Sequence, residues 1–184
     1  MTSRALCAII YNRKRQKEIK KMKKATFEKN LSYIFDANRA GAKYSIDGGK
    51  KFMNHGDFCE CLAKSVLGYE AKKDANTRND KGHDIPELHA SVKSWNCSLC
   101  DRKDLGDTAE DYFNNFFATE LDNTSYLWVY EYGESVDLWF MDRMEFQAFT
   151  KACGSWDGYL KKWRFKLCNN KINAYLEAQL AKGE

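Results

Sequence analysis

Apolar residues recur at helical spacing at Ile19, Met22, Phe27, Leu31, Ile34 and Phe35, which predicts a long helix over about residues 13–38. One side of it is apolar and the other basic. Residues 40–56 are irregular and glycine-bearing, with a short strand at 44–46. Asp57 reads as the N-cap of a helix that ends at Gly68 and turns Phe58, Leu62, Ser65 and Val66 inward. The polar stretch 69–82 reads as an exposed loop. Two short strands follow, near 83–86 and 90–95, and Asp107 opens a helix carrying Tyr112, Phe113, Phe116, Phe117 and Leu121. The run 126–132 is a strong strand, Gly133-Glu134 a turn, and 136–141 the returning strand. Asp142 followed three residues later by Glu145 is a capping box for a helix through Phe146 and Phe149. Residues 156–168 fit no single period, and 173–180 closes the chain as a helix. This order predicts one α/β domain, a mixed sheet covered by helices on both faces.

Composition narrows the class. The 184 residues, 43% of them hydrophobic, suffice for one well-filled core. A mean hydropathy of −0.68 and 30% charged residues point to a soluble chain. No run approaches the roughly 18–20 apolar residues of a membrane span. The apolar run 5–10 is too short for a signal-peptide core and lacks a cleavage site, so a cytoplasmic location is expected. Seven cysteines, an odd number, fit reduced thiols better than a disulfide scaffold. Between Arg13 and Lys29 nine bases face two acids, which leaves the rest of the chain net acidic. Such a basic stripe, with Lys20, Lys21, Lys23 and Lys24 at its centre, suits a polyanion. A solvated helix face is the alternative reading.

The segment 82–95 carries the candidate chemistry. Asp84 ends one short strand, and Ser91 and Lys93, two apart on the next, share a face. A carboxylate with an ammonium beside it is the grouping that metal-dependent phosphodiester cleavage needs. These residues resemble the PD-(D/E)XK nuclease superfamily, in which an Asp is followed by an acid-x-Lys strand. The short step from Asp84 to Ser91, through a proline-containing turn to Lys93-Ser94, is similar to the mismatch-repair nicking endonuclease branch. The resemblance covers about residues 57–150. It implies a restriction-endonuclease-like fold and a DNA endonuclease using Mg²⁺ or Mn²⁺, with Asp84 a catalytic metal ligand, Lys93 assisting the nucleophile and Ser91 an outer ligand or spectator.

Ser91 departs from the family pattern, since it stands where the second acid belongs. The resemblance offers Glu60, from the preceding helix, or Glu87, in the turn, as the metal ligand in its stead. It also leaves a non-catalytic DNA- or RNA-binding protein on a degenerate nuclease fold, with DNA favoured over RNA. Arg78 and Lys81, in the polar loop, supply donors for phosphate oxygens. A homodimer is left open, as is a protein-interaction module that sets the basic helix against an acidic partner. Cys97 and Cys100 have zinc-knuckle spacing, for which Cys153 and Cys168 are the available completing ligands. Packing thiols are the plainer reading of that pair.

Overall fold

The strongest strand signal is Tyr126-Leu127-Trp128-Val129, four residues with no polar break, and it lies at the centre of the sheet. All four are buried, so the strand is covered on both faces. The computed structural model describes residues 23–29, 55–69, 83–100, 102, 104–120 and 123–182. Its elements run β1 (Lys24–Glu28), α1 (His55–Leu67), β2 (Ala90–Ser94), α2 (Ala109–Thr119), β3 (Ser125–Tyr132), β4 (Ser135–Met141), α3 (Arg143–Cys153), β5 (Ser155–Asp157), β6 (Lys162–Arg164) and α4 (Asn169–Leu180). The first four strands form a mixed sheet in the order β1-β4-β3-β2. In it β2 and β3 are parallel and the other pairs antiparallel. β5 and β6 make a separate antiparallel hairpin.

Alternation along the strands divides the core in two. Ala90, Val92, Leu127, Val129, Val136 and Leu138 pack with Cys59, Leu62, Ala63 and Leu67 of α1. On the opposite face Tyr126, Trp128, Trp139 and Met141 pack with the aromatic stripe of α2, with Phe146 and Phe149 of α3, and with Ile172 and Leu176 of α4. The expected mixed sheet with helices on both faces is present. No helix among the described residues is long and apolar enough to cross a membrane.

Local signals set most boundaries. α1 ends in a Schellman turn: Gly68 has φ +76°, its N–H donates to Ser65 O, and Tyr69 N–H donates to Lys64 O. Its start lies at His55, so Asp57 falls inside the first turn and is not the cap. Thr108, one residue after Asp107, caps α2 by accepting from Asp111 N at 3.1 Å. The capping box of α3 forms as the sequence predicts, with Glu145 N donating to Asp142 Oδ1 at 2.8 Å and Asp142 N to Glu145 Oε2 at 2.9 Å. Asp142→Ala is expected to lower stability by about 1 kcal/mol, read as a shift of the urea midpoint at unchanged slope.

Two further expectations are overturned. The strand expected near 83–86 reduces to an isolated bridge at Ile85 followed by the 3₁₀ turn Pro86–Leu88. Residues 24–28 are a strand, which breaks the helix expected over 13–38. Ala25 pairs with Leu138 and Phe27 with Val136, and Ala25 is buried. The segment Lys-Ala-Thr-Phe-Glu alternates as well as it spirals, and pairing with β4 completes that strand's ladder. The remainder of the basic helix, the strand at 44–46 and the loop at 70–82 lie outside the described residues.

Candidate functional site

The site is built on the edge of β2. Ile85 and Ala90 exchange backbone hydrogen bonds (Ile85 N to Ala90 O 3.0 Å, Ala90 N to Ile85 O 3.1 Å). Between them Pro86, Glu87 and Leu88 form one 3₁₀ turn, and His89 takes the left-handed conformation at φ 50°, ψ 46° to close it. This reversal lays Asp84 alongside Val92, whose N–H donates to Asp84 Oδ2 at 2.6 Å. The carboxylate thereby continues the ladder one step beyond Ile85, and only one of its oxygens is used in doing so. His83 lies against Thr124, its Nε2 2.9 Å from Thr124 Oγ1, and His89 O accepts from Ser125 N at 2.8 Å, so the turn is held to the start of β3.

Register then decides which side chains meet. Ser91 lies opposite Tyr126 and Lys93 opposite Trp128, so both half-buried polar residues of β2 project from the face that carries α2 and α3. Lys93 makes no hydrogen bond or ion pair with another described residue. Burial works to lower the pKa of its ammonium. The charge of Asp84, seconded by Cys97, Glu120 and Cys100, outweighs burial, and the pKa stands above its ordinary value.

Glu120 was not singled out in the sequence. It is the C-cap of α2, and Tyr126 OH donates to its Oε2 at 3.3 Å. Tyr126 neighbours Ser91 in the sheet, so Glu120 is brought to the face that lacks the second acid. A sequence signal for it exists: a carboxylate at a helix C-terminus opposes the macrodipole, an arrangement with a stability cost.

The remaining candidates scatter. Glu60 is half-buried on α1, the helix packed against the opposite face, so the sheet stands between it and the Ser91–Lys93 side. Glu87 is exposed on the outer side of the 3₁₀ turn. Lys23 pairs with Glu145. Lys24 pairs with Asp137 at 3.0 Å and Glu177 at 2.5 Å, and lies 4.9 Å from the Trp139 ring centroid. Asp137, 2% exposed, also accepts from Thr26 Oγ1 at 2.7 Å and Tyr132 OH at 3.2 Å. Lys24 is thus an internal clamp joining β1, β4 and α4. Lys20, Lys21, Arg78 and Lys81 lie outside the described residues.

The cysteine pair is tied into the fold. Cys97 Sγ accepts from Ser94 N at 3.4 Å, and Cys100 Sγ lies 3.2 Å from Tyr112 OH. Cys153 is buried and Cys168 exposed. Among the described residues no three His, Cys, Asp or Glu side chains gather as a metal-ligating group. Asp84 and Glu120 are hard oxygen donors of the kind Mg²⁺ takes, an ion that binds through one or two carboxylates and completes its shell with water and phosphate.

No family model matches the chain, and no curated protein or solved structure matches it significantly.

Proposed function

We propose that the chain is a Mg²⁺- or Mn²⁺-dependent endonuclease acting on DNA, with its site at the β2 edge. The observation that carries this reading is Lys93: a half-buried side chain on the β2 edge, without a hydrogen bond to another described residue, whose ammonium is kept charged by the nearby Asp84 carboxylate. An ammonium held in its charged form is a donor and a positive charge, not a base. It offsets the negative charge that builds on a phosphate oxygen as the phosphodiester bond breaks. Asp84, with one oxygen outside its bond to Val92, and Glu120 are the residues that would hold the metal, and the bound ion supplies an acidified water and a polarised phosphate. Ser91 provides a hydroxyl on the same face.

A second reading, a nucleic-acid-binding protein without catalysis, is favoured by Ser91 at the family's acid position and by the structural use of Asp84. Supercoiled plasmid distinguishes the two. With Mg²⁺ or Mn²⁺ the purified chain is expected to convert it to the nicked or linear form, and EDTA is expected to stop the conversion. Intact plasmid under both metals, with a gel shift retained, would select the second reading.

A further inference from the structure

The β5–β6 hairpin takes no part in the site above, yet its surface has a definite chemistry. Residues 151–171 hold six bases and one acid, a second basic segment that the one at 13–29 overshadows. The turn at the tip is closed by Asp157, whose Oδ1 accepts from Leu160 N at 3.1 Å. It presents Tyr159 at 94% exposure and Leu160 at 41%. A tyrosine so exposed adds almost nothing to the core.

The support beneath the tip is firm. Asn96 N donates to Phe165 O at 2.9 Å, Phe165 N to Cys97 O at 3.0 Å and Leu99 N to Trp163 O at 2.8 Å. Phe165 is fully buried, and Trp163 Nε1 donates to Ala109 O at 2.8 Å. The base of the hairpin therefore adjoins the loop that leaves β2. There Trp95 is 41% exposed, and Arg164 donates to Asn96 Oδ1 at 3.3 Å.

Charge identifies the partner. Asp157 serves both Lys166 (2.6 Å) and Arg164 (3.9 Å), so the hairpin remains net positive. Lys161 pairs with Asp107 at 2.6 Å, and both are largely exposed. An exposed pair of this kind is weak, so Lys161 transfers to a phosphate readily.

We propose that the β5–β6 hairpin binds a polynucleotide strand, with Lys161, Lys162 and Lys166 on phosphates and Tyr159 stacked on an unpaired base. It rests on the nucleic-acid reading above and adds the surface and the contact chemistry. Bases stack on aromatic side chains without sequence preference, and basic residues track the backbone.

The test uses the full chain, a fluorescent single-stranded oligodeoxynucleotide and its duplex, in EDTA, where binding through Asp84 and a metal plays no part. Tyr159→Ala is expected to weaken single-strand binding by about tenfold, to remove the quenching of a 2-aminopurine probe, and to leave thermal unfolding unchanged. Replacing Lys161, Lys162 and Lys166 by Gln is expected to lower the slope of log K against log salt by about 0.7 for each lysine that neutralises a phosphate. Binding by the wild-type chain with both variants unchanged in affinity and slope overturns the hairpin as the surface, while the nuclease reading continues to rest on the plasmid assay. Wild-type binding to neither oligonucleotide also overturns it, and plasmid cleavage in Mg²⁺ would then show that the nuclease reading survives alone.

Discussion

Lys93→Met is expected to reduce plasmid cleavage by about 10²–10³-fold, the usual loss when one preorganised group aimed at developing charge is removed. The substitution keeps the aliphatic stem, which is half-buried on β2 opposite Trp128, and deletes only the charge. DNA affinity in EDTA is expected to change little. Cleavage within a few-fold of wild type would remove Lys93 from the mechanism. Asp84→Asn provides the companion measurement. The amide oxygen still accepts from Val92 N, but the charge that sustains the Lys93 ammonium is gone. In the native protein the pKa of Lys93 is raised, so its contribution to stability is complete below the unfolded-state pKa. That contribution is lost as pH rises through the folded value. In Asp84→Asn the largest charge opposing burial is gone, and the Lys93 pKa falls from its native position. The variant is expected to lose about 1–3 kcal/mol near pH 7, with the loss shrinking as pH rises past 10. Urea unfolding at both pH values checks the sign, and a pH-independent loss would place the effect in the backbone hydrogen bond alone.

Phe146→Ala is expected to cost about 3–5 kcal/mol. Phe146 is fully buried and stacks on Tyr126 with centroids 3.9 Å apart and planes at 12°. Phe117, Phe149 and Phe165 surround it at 6.1, 5.9 and 6.1 Å. Helices α2 and α3 and the segment after β6 all meet at this ring, so the cavity has little freedom to collapse. Domains of this size hold only about 5–15 kcal/mol in total, so the variant approaches its unfolding threshold. A loss under about 1 kcal/mol in urea would mean that the aromatic cluster repacks. The site feels the same change, because Tyr126 is also the ring whose hydroxyl holds Glu120. Phe146→Leu, which retains most of the volume, is expected to restore both stability and cleavage.

What could be read from the chain alone is what short-range forces decide. The β3–β4 hairpin follows from two apolar- and aromatic-rich strands around Gly133, which sits at φ +50°. The start of α3 follows from Asp142 and Glu145, three residues apart, and the end of α1 from Gly68. The nearness of Asp84 to β2 also belongs here, since one turn of six residues carries it. Each of these depends on neighbours a few positions away, whose backbone hydrogen bonds the local sequence satisfies or leaves open.

The tertiary structure decided the rest. Residues 24–28 carry a pattern compatible with helix or strand, and the unpaired edge of β4 selected the strand. That choice turned Lys24 from a candidate phosphate ligand into the partner of Asp137 and Glu177, far along the chain. It is also the sheet that sets α1, and with it Glu60, against one face while Ser91 and Lys93 project from the other. Glu120 reached that second face only because α2 returns the chain to β3 in parallel with β2. Alternation shows that a strand has two sides, but which helix covers each side follows from how the whole chain buries its apolar surface.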